Sequence, residues 1–227
     1  MVDEAAGLPG QMTQQVCIET ITLALRLVPL AGIMSVLLIG VLWRALLQRR
    51  RYGTSGIARF DLSEPAQLAR AGGFILFFGG LGVQAFDAAR NPAGVHAATW
   101  LSTQGGLVLS STGAIILFGG LVLLVAAQLQ MGASWRIGID EGAAPGLIDT
   151  GLFRLCRNPI YLALLVIIAG HVAMLPTPIS LLMWVGAYLS VRLQIRAEEA
   201  YLRRSYGEAY HAYARRVGRL LPYLGRQ

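Results

Sequence analysis

The residues best suited to chemistry lie in one stretch, 151–213. Arg157-Asn158-Pro159-Ile160-Tyr161 opens an apolar segment. Pro159 suits the first turn of a helix, where its missing N–H costs nothing, and Asn158 before it is a good N-cap. The free N–H groups of that helix start, with Arg157 beside them, suit a carboxylate; the plainer alternative is a capped helix with a topology-setting arginine. Arg196-Ala197-Glu198-Glu199 closes the following apolar segment. Adjacent carboxylates at a membrane boundary repel, so they call for partners: ribose hydroxyls for one, an arginine or a substrate proton for the other. The alternative is that both reach into water and Glu199 pairs with Arg203, four residues on. His171 lies in mid-span, either as a functional ionisable group or as a neutral ring hydrogen-bonded across the hairpin. Histidines stand at 96, 171 and 211, too scattered for a metal site, and Cys156 reads as structural.

Tyr206, Tyr210, Tyr213 and Val217 share one helical face, with Arg203, Arg204, Arg215 and Arg216 largely elsewhere. That pattern predicts an amphipathic helix lying at the inner membrane interface or folding over the site as a lid.

The elements that must position these groups are membrane spans. Of the 227 residues 55% are hydrophobic and only 14% charged, against about 25% charged in soluble domains. Apolar runs at 21–47, 72–86, 105–128, 160–175 and 179–195 are long enough, or nearly so, to cross a bilayer. All 19 basic residues are arginines, placed at the ends of these runs rather than in one patch. This speaks for lipid headgroups and against nucleic acid. Seventeen of them fall on one side of the membrane if the N-terminus is outside, leaving Arg26 and Arg90 on the other. The expected architecture is therefore all-α: a polytopic transmembrane bundle of about five spans, N-out and C-in, with a C-terminal amphipathic helix at the cytoplasmic face. Pro176-Thr177-Pro178 is too short for anything but an antiparallel hairpin between the last two spans. Residues 1–127 hold three spans without a recognised motif, and 128–227 hold the hairpin and the tail. With two cysteines, Cys17 and Cys156, no disulfide framework is implied. No glycine-rich phosphate loop follows a strand, which excludes soluble nucleotide-binding folds.

Five elements in order carry a resemblance: Ser134-Trp135-Arg136-Ile137-Gly138, Gly151-Leu152-Phe153, Arg157-Asn158-Pro159-x-Tyr161, Glu198-Glu199-x-x-Leu202 and Tyr206-Gly207-x-x-Tyr210-x-x-Tyr213. Together they resemble the integral-membrane methyltransferases of the isoprenylcysteine carboxyl methyltransferase and phospholipid methyltransferase type, over about residues 128–222. The resemblance implies S-adenosylmethionine as methyl donor, held at the cytoplasmic end of the hairpin under the tail. Arg157, Asn158, Pro159, Tyr161 and Glu198 or Glu199 would contact it, and His171 is counted with this set. The family commonly has histidine where this chain has Asn158, which can hydrogen-bond but does not titrate near neutral pH. Direct transfer to a lipophilic or small acceptor reaching the site from the bilayer is the expected reaction. Glu199 would position or deprotonate that acceptor and Arg196 would orient an acceptor carboxylate. An isoprenylcysteine carboxylate, a lipid amine, a small thiol and a quinone-like molecule all remain open. The alternatives are an NADPH-dependent membrane reductase of sterol-reductase type and a non-enzymatic membrane subunit. The expected location is a bacterial inner membrane, with the site facing the cytoplasm.

Overall fold

The computed structural model describes residues 8–57, 65–91, 103–138 and 146–225. The first span is one continuous rod: α1 (Leu8–Ser35), a π-helical segment (Val36–Trp43) and α2 (Arg44–Tyr52). It ends where Arg49, Arg50 and Arg51 oppose the negative end of the helix and Gly53 takes a left-handed φ of 76°. The second is α3 (Pro65–Arg90), opened by a proline; Ser63 and Glu64, which resemble a cap in the sequence, lie outside the described residues. The third is α4 (Gln104–Met131), capped by Thr103, whose hydroxyl accepts from the Gly106 N–H at 2.9 Å. The last two are α5 (Pro159–Met174) and α6 (Pro178–Arg216). Among the described residues, four helices are long and apolar enough to cross a membrane, and α5 is a shorter apolar helix. The chain is an all-helical membrane bundle.

Small residues decide how these helices meet. Gly106, Ser110, Gly113, Leu117, Gly120, Leu124 and Ala127 are buried along α4 at alternating spacings of four and three. This is the seam expected for helices packed at a shallow angle. Glycines let the backbones touch, because in lipid close packing replaces the hydrophobic drive between helices. A Cβ on Gly170 of α5 would lie 2.6 Å from both the Gly113 carbonyl oxygen and the Leu117 nitrogen, and one on Gly120 would lie 2.9 Å from the Ile167 nitrogen. Val36 of the first span joins Leu117, Leu124, Ala163, Ile167 and Met174 in the largest core. On the other side Ile33, Leu81, Ile168 and Ala187 tie α3 and α6 to the bundle. The two-proline turn makes the expected hairpin, with a reciprocal cap between Thr177 and Ser180. The closest neighbour of α5 is nevertheless α4, because that is where the glycines are.

The tail helix expected from the sequence follows the last span directly: Pro178–Arg216 is helical on both sides of Gly207, whose φ of 50° and ψ of −125° divide it into two helices meeting at a kink. The stretch from Pro178 to Tyr206, before the kink, is about 44 Å long at 1.5 Å per residue, longer than the hydrocarbon thickness. Between Ile195 and Gly207 the sequence Arg-Ala-Glu-Glu-Ala-Tyr-Leu-Arg-Arg-Ser-Tyr contains no helix breaker, so the span runs on into the polar region.

The α4–α5 contact yields a controlled test. Gly170→Leu should push the two backbones apart, cost at least about 1–3 kcal/mol and lower the thermal midpoint in detergent. Gly119→Ala, where the added methyl meets nothing within 4 Å, should leave the midpoint unchanged or raised.

Candidate active site

The start of α5 is set by what precedes it. Gly151, at φ 58°, begins a short 3-10 turn (Gly151–Arg154) pressed against Gln130, whose side-chain oxygen accepts from the Leu152 N–H at 2.7 Å. Pro159 then occupies the first helical turn, as its ring requires. Asn158 stands at the N-cap position, but its side chain does not cap the helix; Nδ2 donates to the Arg219 carbonyl at 3.0 Å. The helix start is instead crossed by the chain's own C-terminal segment.

Arg157, expected to leave its charge for a ligand, is only 6% exposed and fully engaged. Its Nε and Nη2 donate to Glu199 Oε1 at 3.1 and 2.9 Å. Nη1 donates to the carbonyls of Ala214 and Val217, and Nη2 also to that of Gly225. Glu199, 1% exposed, takes a second guanidinium on its other oxygen, Arg219 Nη2 at 2.7 Å. Arg203, the partner anticipated from spacing, stands at 3.6 Å. Glu199 in turn holds the Arg219 guanidinium more firmly protonated than usual. The expectation that both carboxylates reach into water is wrong for Glu199, because folding brings two arginines from distant segments onto it. Its oxygens are turned to these guanidinium groups, the geometry of a structural hub rather than of a proton acceptor.

Glu198 has different surroundings. Successive residues on a helix point about 100° apart, so the neighbouring carboxylates face different groups and their repulsion is relieved. Glu198 Oε1 accepts from the Tyr161 hydroxyl and from Gln194 Nε2, the latter at 2.9 Å. The Tyr161 ring lies 6.4 Å from that of Phe74 on α3, which closes one side with an apolar wall.

The tyrosine face predicted for the tail is present, but protein covers it. Tyr210, Tyr213 and Val217 are 1, 3 and 6% exposed. The Tyr213 hydroxyl donates to the Phe153 carbonyl at 2.7 Å, and the Tyr206 oxygen accepts from the Gly146 N–H at 3.1 Å. The face thus clamps the segment that leads into α5, which also buries Cys156 and pushes its thiol pKa upward. Two of the predicted residues are not brought into the cluster. His171 lies twelve residues beyond Pro159, about 18 Å along the helix, with Nε2 3.4 Å from Gln84 Oε1 of α3 rather than from a group across the hairpin. Arg196 is exposed and meets neither carboxylate.

Sequence reading missed two residues. Arg219 looked like one more topology arginine; only its position after the tyrosine face hinted otherwise. Arg44 is 1% exposed at the end of the first span, where its Nη2 donates to the Gly132 carbonyl at 2.7 Å and its Nη1 to Gln48 Oε1 at 2.8 Å. The guanidinium sits 4.8 Å from the Trp135 ring centroid. A cation there satisfies carbonyls at the end of α4.

Arg157→Ala should cost about 3–5 kcal/mol, since it leaves a buried carboxylate short of one partner and releases the C-terminal segment. Arg157→Lys keeps the charge but not the fork, and should recover only part of that loss. Arg196→Ala should leave the thermal midpoint unchanged.

Residues 108–209 match a family model described as phospholipid methyltransferase. A relative, protein-S-isoprenylcysteine O-methyltransferase A of Arabidopsis thaliana, is 29% identical over 119 residues, 51% of this chain and 60% of the relative. The solved structure of a eukaryotic intramembrane Ras methyltransferase, isoprenylcysteine carboxyl methyltransferase, shares the fold with a TM-score of 0.56 at 16% identity. That likeness covers 85% of this chain and 64% of the other. The chain therefore spans about three fifths of the length of the proteins it matches. The family match over 108–209 and the motifs in 134–213 fall on the same part of the chain, and over that part this membrane protein is similar to the isoprenylcysteine carboxyl methyltransferase and phospholipid methyltransferase type.

Proposed function

We propose that the chain is an S-adenosylmethionine-dependent methyltransferase acting on a lipophilic or small acceptor, with its site at the arginine-rich end of α5 and α6 facing the cytoplasm. One observation carries the reading. Arg157 and Tyr161, on either side of Asn158-Pro159 where α5 starts, bond to Glu199 and Glu198 on α6.

The residues present suit the donor. Glu198 supplies a partly buried carboxylate that can accept ribose hydroxyls, steadied by Tyr161 and Gln194. Its negative charge also suits a cation. The Phe74–Tyr161 pair gives an apolar wall. When bound, S-adenosylmethionine supplies a methyl group already activated by its sulfonium. The protein's remaining work is to align the partners and exclude water. Glu199 acts in this scheme as a positioning residue that locks Arg157 and Arg219, in place of the base expected from sequence. Arg196, exposed on α6, is the residue assigned to orient an acceptor carboxylate. His171 leaves the donor set because it packs against Gln84.

Thermal unfolding in detergent with S-adenosylhomocysteine tests this. A ligand at about 100 times its dissociation constant adds about 2.7 kcal/mol. Wild type should be stabilised, and Glu198→Gln should lose the gain while keeping its ligand-free midpoint. Glu199→Gln should already unfold earlier without ligand. Stabilisation by NADPH and none by S-adenosylhomocysteine would replace this reading with the reductase.

A further inference from the structure

Beyond Val217 the chain leaves α6 and makes a tight turn: the Leu224 N–H donates to the Leu221 carbonyl at 3.2 Å, and the Arg219 N–H donates to the Leu224 carbonyl at 2.8 Å. One side of this turn faces the candidate site. The Gly218 carbonyl accepts from the Arg157 N–H at 2.9 Å, and the carbonyls of Arg219 and Gly225 accept from the Asn158 and Arg157 side chains at 3.0 and 3.1 Å. Leu220 enters the cluster of Leu165, Val191 and Ile195.

The other side is apolar and uncovered. Leu221, Tyr223 and Leu224 are 47, 75 and 63% exposed, and Pro222 between them is exposed too. Three large apolar side chains on so short a turn form a patch that water does not favour. Tyr223 is also held at φ 67°, which bulky residues rarely adopt. The depth of the turn explains the patch. Its backbone is bonded to residues 157 and 158, immediately before Pro159 opens α5, and Leu220 packs one turn further in, beside Tyr161 and Leu165. The turn therefore lies beside the start of the apolar helix α5, and α6 also exposes Leu189 and Leu193 along its length.

We propose that the 221–224 turn inserts Leu221, Tyr223 and Leu224 into the headgroup–acyl boundary of the membrane that the helices span. Leucine and tyrosine are the side chains suited to that layer, apolar in body with one wet hydroxyl. The same turn carries on its inner side the carbonyls that hold Arg157 and Asn158. Seating in the bilayer thus presses the C-terminal segment onto the start of α5. This interfacial role, expected from sequence for the tyrosine face of the tail, belongs to the turn that follows it.

The test is spin-label depth measurement on the full chain in lipid nanodiscs, in a Cys17→Ser background with Cys156 left buried. Labels at Tyr223→Cys and Leu224→Cys should relax more with oxygen than with a water-soluble nickel chelate. A label at Glu208→Cys, on an exposed part of α6 beyond the kink, should show the opposite preference. A nickel preference at both 223 and 224, matching that at 208, would place the turn in water and overturn the proposal. Neither result depends on methyl transfer, so the anchor and the proposed activity stand or fall separately.

Discussion

A buried carboxylate dictates much of this structure. Glu199 is almost wholly removed from solvent, and an ionised group there is tolerable only with close, well-aligned partners. Arg157 and Arg219 provide them from segments 42 and 20 residues away along the chain. Each arginine then has further donors to satisfy, and Arg157 spends its own on the carbonyls of Ala214, Val217 and Gly225. One buried charge thereby binds the start of α5, the middle of α6 and the C-terminal segment into a single unit. Such a knot gives little net stability over an apolar core of the same shape, yet breaking it is costly. Its value lies in fixing the geometry between the start of α5, α6 and the C-terminal segment.

The spans beneath it act as a frame whose dimensions are set by missing side chains. Gly113, Gly120 and Gly170 bring α4 and α5 to backbone contact, which holds the start of α5 at a defined height relative to Gln130 and the 3-10 turn. The first span joins the same frame through Arg44, which bonds the carbonyl end of α4 and stacks on Trp135. The N-terminal part of the chain, which carries no recognised motif, therefore still reaches a motif residue of the C-terminal half.

Within the site the two adjacent glutamates show how a helix separates roles. A rotation of about 100° per residue sends Glu199 into the arginine knot and Glu198 toward Tyr161 and Gln194. Adjacency in sequence suggested a shared task. In the fold one carboxylate is enclosed by arginines while the other bonds a tyrosine and a glutamine.

Much of the architecture was legible beforehand, for physical reasons. Bilayer thickness imposes a length on apolar runs, so the four long helices and the shorter apolar helix α5 could be located from hydropathy. Proline at a helix start and the two-proline turn also act locally, and both stand where the sequence puts them. The motifs around 157 and 198 could be paired because a short hairpin leaves their segments no other meeting place. What the sequence could not decide was how polar groups are shared out once the chain closes on itself. Asn158 prefers a distant carbonyl to its own helix, Arg219 becomes a partner of Glu199, the tyrosine face is buried by the 146–156 segment, and His171 turns to α3. Each is a long-range contact between groups whose local pattern allows several partners. Composition and spacing determined that this chain is a helical membrane protein with a charged site at one end. The tertiary fold alone decided which carboxylate the arginines enclose and which faces Tyr161 and Gln194, because burial, not sequence neighbourhood, selects the partner of a charged group.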